Sequence, residues 1–162
     1  MASISIGKGV GVLVAGGVVV LALVSGSPRG DVSAEDGAAA TAVSIPVEDD
    51  MHEFMEYVFL PTYERLKTQM AAEPTGQKAW KDIRSASLIL AEGGNLLLIR
   101  PSQEDAAEWK QLSLAVRDHG GKLYQSARRR DYPAAREHYE AMLGRCNACH
   151  ERFAGGEYQL SP

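Results

Sequence analysis

Two cysteines and a histidine stand together near the end of the chain, and their spacing is specific enough to predict chemistry. Cys146, Cys149 and His150 form the pattern Cys-x-x-Cys-His. On a helix, residues three and four apart share one face, so both thiols and the imidazole can meet the same group. Two thiols can add to the two vinyl groups of haem, and a neutral imidazole nitrogen can bind its iron. The spacing therefore predicts one covalently attached haem c, with His150 as the proximal iron ligand.

Three other chemistries would use the same cysteines. A structural zinc site normally takes four ligands, but the chain has only these two Cys residues and no second pair to complete the set. A thioredoxin-like dithiol needs a βαβ context, which the hydrophobic pattern lacks. A disulfide between Cys146 and Cys149 stays open as an alternative, although it would not require His150.

The elements that position this motif read as four helices. Apolar residues recur at helical spacing over about residues 47–72, 77–99, 102–129 and 131–153. Pro61 predicts a kink in the first segment or a helix start just before it. Ser102 with Asp105 resembles a capping box for the third, and Pro133 suits the first turn of the fourth. Because no segment alternates with period two and the connections are short, the sequence predicts an all-α fold, an antiparallel four-helix bundle.

The same periodicity predicts which side chains face the core. They are Met51, Met55, Val58, Phe59, Leu66 and Met70 in the first segment, Ile83, Ser87, Leu90, Gly94 and Leu97 in the second, Trp109, Leu112, Val116, Gly120, Leu123 and Ala127 in the third, and Ala135, Tyr139, Met142, Cys146, Cys149, His150 and Phe153 in the fourth.

Glycine pairs interrupt the second and third segments. Gly93-Gly94 and Gly120-Gly121 each lie inside a predicted helix, where a glycine costs about 1 kcal/mol relative to alanine. They predict either close approach of the backbone to a neighbouring helix or haem, or else a local kink or short loop.

The N-terminal part of the chain does not read as globular. Lys8 precedes an uncharged apolar run at 10–24, and small residues follow it. This pattern predicts a signal peptide or an N-terminal membrane anchor over 1–26. Residues 27–46 are poor in large apolar side chains and predict a flexible linker, which leaves 47–162 as the four-helix cytochrome domain. We therefore expect a periplasmic or other extracytoplasmic location, either soluble or N-terminally membrane-anchored.

The stretch Arg145-Cys146-Asn147-Ala148-Cys149-His150-Glu151-Arg152-Phe153, on the last predicted helix, resembles the haem-attachment segment of the cytochrome c-prime family and its cytochrome c-556-type relatives. The likeness covers about residues 47–153 and implies a four-helix bundle around a covalent haem, with homodimers common through the first two helices. It also implies that the first helix supplies the residue on the distal side of the haem.

In that family a distal Met gives a low-spin electron carrier, whereas an apolar residue leaves a site open to nitric oxide or carbon monoxide. The candidates here are Met55 first, Met51 second, and Phe59 as a side chain that does not bind iron. The Arg that usually precedes the ligand in the family is missing, since Glu53 and Glu56 flank Met55.

The expected function is that of a single-haem c-type cytochrome that carries electrons between exported or membrane-bound redox partner proteins. The alternative is a five-coordinate haem module that binds nitric oxide or carbon monoxide. We expect no enzyme activity, because only His52, Glu53 or Glu56 could supply distal acid–base groups. His119 and His138 are expected at the surface or the edge of the core. A net charge of -4 gives no basic face for nucleic acid.

Overall fold

The computed structural model describes residues 44–162 of the chain. The predicted signal or anchor segment, 1–26, and most of the predicted linker lie outside the described residues. Within these limits the fold is all-α, with four helices and no strand. This agrees with the predicted fold class and is compatible with a four-helix bundle.

The first helix, α1, covers residues 51–70 and changes its winding on the way. It comprises an α-helical turn at Met51–Phe54, a π-helical segment at Met55–Phe59 and a second α-helical stretch at Leu60–Met70. The side chain of Asp50 caps its start by accepting a hydrogen bond of 3.0 Å from the Glu53 N–H. The helix therefore begins at Met51, four residues after the predicted start at about residue 47.

Three further helices follow, close to the predicted bounds. They are α2 at Gln77–Leu97, α3 at Ala106–Arg129 and α4 at Tyr132–Phe153. The predicted capping box at Ser102 is wrong. Asp105 caps α3 by accepting from the Glu108 N–H at 2.9 Å, while Ser102 accepts from Glu104 within the preceding turn. The carboxylate directly before the first helical turn meets the free N–H groups there.

The helices pack in chain order, and glycines bring two of them together. Close packing runs from α1 to α2, from α2 to α3 and from α3 to α4. A Cβ atom added at Gly94 would lie 2.8 Å from the Arg117 backbone nitrogen, and one added at Gly120 would lie 3.1 Å from Ala91. Both glycines therefore mark close approach of α2 and α3 without a break in either helix. Gly121 has no neighbour within 4 Å of such a Cβ atom, so it plays no part in the contact.

At one end of the molecule, α4 is tied back to α1. The carbonyl of Met70, the last residue of α1, accepts hydrogen bonds from the Tyr132 hydroxyl at 2.9 Å and the Arg136 guanidinium at 2.8 Å. The end of α1 thus meets the beginning of α4, as expected for antiparallel helices. The other end of this helix pair is where the candidate site lies.

The predicted core residues of α2 and α3 are all buried. In α1 the prediction is less accurate, because Phe54, which was not predicted to face inward, is 4% exposed, whereas Met51, Met55, Val58 and Phe59 are only half-buried. Arg100 covers the Phe54 ring from 3.9 Å. Across the part of the chain described here, no helix combines the length and the apolar character needed to span a membrane.

Candidate functional site

The Cys-x-x-Cys-His motif lies in the last two turns of α4. Asp131 caps the start of this helix, since its side chain accepts from the Ala134 N–H at 3.1 Å. From there it runs unbroken to Phe153, so Cys146, Cys149 and His150 project to the same side, and all three line one cavity. The structure therefore brings the three predicted site residues together.

The cavity is large and mostly apolar. Its volume is about 480 Å³, within the usual range of small-molecule and cofactor sites in proteins. All four helices contribute to it. Its lining includes Met51, Met55, Phe59, Leu60 and Tyr63 from α1, Leu90 and Leu97 from α2, Trp109, Leu112, Ser113 and Val116 from α3, and Met142, Leu143, Cys146, Cys149, His150 and Phe153 from α4.

Side chains of α1 form one wall of the same cavity. Met51, Met55 and Phe59 all line the cavity and are half-buried. Phe59 meets the Phe54 ring edge-on, with ring centroids 5.6 Å apart. A Cβ atom added at Gly93 would lie 2.7 Å from its ring. Phe59 is thereby held from two sides, while both methionine thioethers remain available at the cavity wall.

The π-helical segment coincides with this wall. The Leu60 N–H donates to the Met55 carbonyl, five residues back. Pro61 follows directly. A proline has no N–H to donate to the carbonyl four residues earlier, and its ring clashes with that carbonyl. The wider turn relieves this clash, and the Thr62 hydroxyl donates to the Val58 carbonyl at 2.8 Å. Next to Pro61 the structure has a π-helical segment at Met55–Phe59 and an α-helical stretch that starts at Leu60, directly before the proline. Segments of π-helix are common at functional sites.

The two cysteines are free thiols, with Cys146 half-buried and Cys149 buried. Burial raises the pKa of the Cys146 thiol to about 12 and that of Cys149 to about 11. A redox-active dithiol depends instead on a lowered pKa that makes the thiolate available. The environment of these cysteines consequently disfavours thioredoxin-like chemistry.

His150 has one ring nitrogen already in use. Its Nδ1 lies 2.9 Å from the carbonyl oxygen of Tyr158. Because a carbonyl can only accept, Nδ1 carries the proton in this contact, and in the neutral ring Nε2 keeps its lone pair. This is the arrangement of metal-binding histidines, whose second nitrogen donates to a carbonyl or carboxylate that fixes the tautomer.

Residues beyond α4 complete the cavity, and helical periodicity did not point to them. Tyr158 and Leu160 line it, although they follow the last predicted helix. Asn147, between the two cysteines, holds this segment through two hydrogen bonds to the Leu160 backbone, at 2.8 and 2.9 Å. The signal in the sequence was Gly155-Gly156, a break after which the chain can reverse.

Phe153 and Arg152, which contribute to the family resemblance, fix the end of α4. The Phe153 ring packs edge-on against Trp109, with centroids 5.1 Å apart. Arg152 forms ion pairs with Glu104 at 3.2 Å and Glu108 at 3.0 Å, both near the start of α3. These contacts hold the last turn of the motif helix against its neighbour.

The other histidines divide into two groups. His52 is exposed and lines the cavity, with its Nε2 3.6 Å from the carboxylate of Glu56. His119 and His138 lie elsewhere, with ring centroids 6.2 Å apart. Both are half-buried. Burial, followed by nearby positive charge, lowers the pKa of His119.

Comparisons of the chain with protein-family models, curated proteins and solved structures gave no match. Among residues 44–162, no group of three or more His, Cys, Asp or Glu side chains is arranged to hold a metal ion.

Proposed function

We propose that the protein is a single-haem c-type cytochrome that carries electrons between exported or membrane-bound redox proteins. The observation that carries this proposal is that Cys146, Cys149 and His150 line one apolar cavity together with Met51 and Met55. The residues present fit a haem, because the cavity offers two free thiols, an imidazole nitrogen and thioether sulfur around a largely apolar interior.

A covalently held haem would supply an iron that alternates between the ferric and ferrous states. Cys146 and Cys149 would attach it through thioethers, and His150 would bind its iron through Nε2. The apolar lining would exclude water and thereby set the reduction potential together with the axial ligands. Met55 is our first choice for the distal ligand and Met51 the second. Such a protein belongs with the cytochrome c-prime and c-556 type.

A periplasmic or other extracytoplasmic location belongs to the same proposal. Bacterial c-type haem is attached outside the cytoplasm, and the N-terminal sequence has the pattern of a signal peptide or membrane anchor. Fractionation of cells that express the full chain would test this, with the haem-bearing protein expected outside the cytoplasm.

A second function is supported by a specific observation. Phe59 and Leu60 share the α1 wall with the two methionines, and neither side chain can bind iron. If one of them covered the distal side, the site would bind nitric oxide or carbon monoxide instead of carrying electrons.

The deciding experiment is coexpression of the full chain with haem-attachment machinery, followed by visible spectra of the oxidised and reduced protein with and without carbon monoxide. A double Cys146→Ser, Cys149→Ser variant serves as the control and should hold no covalent haem. Sharp low-spin bands that carbon monoxide does not change would support the electron carrier. Broad high-spin bands that shift with carbon monoxide would support the gas-binding alternative. Absence of covalent haem from the unaltered chain would overturn both.

A further inference from the structure

We propose that the C-terminal tail, residues 154–162, is a positioning element for the proximal ligand, which orients His150 and raises its basicity toward the haem iron. This inference rests on the proposed function. It assigns a role to a segment that lies beyond the motif, beyond the last helix and beyond the residues that resemble the cytochrome c-prime family.

The tail begins with a reversal directly after the motif. The N–H groups of Ala154 and Gly156 both donate to the His150 carbonyl, at 2.9 and 3.0 Å. Gly155 and Gly156 have positive φ angles of 62° and 80°, a backbone conformation that glycine adopts without steric cost. The chain therefore turns back along α4 and passes its own motif.

Tyr158 then adopts a conformation that is uncommon for its residue type. Its φ is 59°, in the left-handed region that non-glycine residues reach only at a cost in free energy. Its side chain is exposed, so burial of the ring does not explain this conformation. What the conformation achieves is to hold the Tyr158 carbonyl 2.9 Å from Nδ1 of His150, and strained residues of this kind cluster at functional sites.

Two anchors hold the tail in this position. On α4, the Asn147 amide exchanges two hydrogen bonds with the backbone of Leu160. On α1, the Tyr63 hydroxyl donates to the Ser161 carbonyl at 2.8 Å and accepts from the Ser161 N–H at 3.1 Å. Lys67 adds a bond to the Ser161 hydroxyl at 2.6 Å. The tail thus bridges α1 and α4, which both line the cavity.

The chemical consequence follows from the bond to Nδ1. A hydrogen bond donated from the second ring nitrogen increases the electron-donating strength of the first, and it fixes the ring orientation. A more basic axial ligand favours the ferric over the ferrous state. The tail should accordingly lower the reduction potential, and its release should raise it.

The test compares four haem-loaded full-length proteins: the unaltered chain, Asn147→Ala, Tyr63→Phe and the control Gln159→Ala. Gln159 lies in the tail and is exposed, and its side chain donates a hydrogen bond to the Gly156 carbonyl at 3.3 Å. A fifth protein ends after Glu157 and so lacks the Tyr158 carbonyl altogether. The measurements are the midpoint potential and, by NMR, the exchange rate of the His150 Nδ1 proton.

In the shortened chain we expect exchange to become at least about tenfold faster and the reduction equilibrium to shift about tenfold toward ferrous, which for one electron is about 59 mV upward. Asn147→Ala should shift both quantities in the same direction, Tyr63→Phe less, and Gln159→Ala not at all. Exchange and potential that stay unchanged in Asn147→Ala and in the shortened chain would overturn the proposal. If the shortened chain does not fold, Asn147→Ala alone decides it by the same two measurements. Absence of haem from the unaltered chain would instead refute the proposed function.

Discussion

Gly94 on α2 lies directly against the backbone of Arg117 on α3. A Cβ atom at position 94 would be 2.8 Å from the Arg117 nitrogen and 3.0 Å from its Cα. These are backbone atoms, which cannot move aside as the end of a flexible side chain could. Both helices also line the cavity, so their separation bears on its shape.

We therefore expect Gly94→Ala to lower the free energy of unfolding by roughly 1–3 kcal/mol, the usual cost of overpacking. The matched control is Gly121→Ala, inside α3 but with no neighbour within 4 Å of the added Cβ. That variant should gain roughly 0.5–1 kcal/mol, because alanine restricts the unfolded chain more than glycine does. Urea unfolding of both variants checks the prediction, and equal effects would contradict the close-approach interpretation.

The two cavity methionines should differ in their effect on the haem spectrum. Met55→Leu keeps the volume and removes the sulfur, so it should convert low-spin haem to a form that binds carbon monoxide. Met51→Leu should leave the low-spin bands in place. Visible spectroscopy of both haem-loaded variants decides between them. The reverse result would assign the distal ligand to Met51, and no effect in either variant would argue against a methionine ligand.

Pro61 should determine how the N-terminal half of α1 is oriented toward the cavity. In Pro61→Ala the backbone N–H returns and can donate to the Tyr57 carbonyl, so the π-helical segment should revert to α-helix. An α-helical turn holds about one residue fewer than a π-helical turn. The change would therefore rotate the preceding residues by roughly 100° about the helix axis and move Met55 relative to the cavity. The low-spin fraction should fall and carbon monoxide binding should rise.

The control for this variant is Pro74→Ala, in the connection between α1 and α2. This position lies outside the helices, so its substitution should leave the spectrum unchanged. An unchanged spectrum in Pro61→Ala as well would mean that the proline does not determine the position of the distal residues.

Tyr139 should destabilise the fold through its hydroxyl. The side chain is 0% exposed, and its hydroxyl has no hydrogen-bond partner among the residues described. Tyr139→Phe removes this unsatisfied group and should raise the free energy of unfolding by about 1 kcal/mol. Chemical denaturation at neutral pH tests the gain, and a loss of stability would show that the hydroxyl has a partner in solution.

The same residue predicts a change of stability with pH. Burial raises the pKa of Tyr139 from 10.0 to about 12. The folded protein therefore holds the phenol proton more tightly than the unfolded chain does. The resulting contribution to the free energy of unfolding is complete below pH 10.0 and is lost as the pH rises through about 12. The free energy of unfolding should fall by roughly 3 kcal/mol across that interval.

Tyr139→Phe should lack this fall. The comparison needs the haem-loaded protein, because Cys146 and Cys149 as free thiols, whose pKa values burial raises from 9.0 to about 12 and about 11, would lose stability in the same direction. As thioethers they do not titrate. An equal fall in the unaltered protein and in the variant would contradict the prediction.

The sequence by itself determined what depends on local spacing. Three- and four-residue intervals place Cys146, Cys149 and His150 on one face of a helix, and the same periodicity predicts the buried faces of α2 and α3, including Gly94. Helix limits follow from nearby breakers, although Asp105 rather than Ser102 caps α3, since both residues offer an oxygen and only the folded turn selects between them.

Only the tertiary structure decided what depends on distant contacts. The bond between Tyr63 and Ser161 joins residues 98 positions apart, and no local pattern predicts it. The carbonyl of Tyr158 reaches His150 because a two-glycine reversal and two anchors aim it there. The π-helical winding at Met55–Phe59 is also beyond the local pattern, because helical periodicity assumes a constant 3.6 residues per turn.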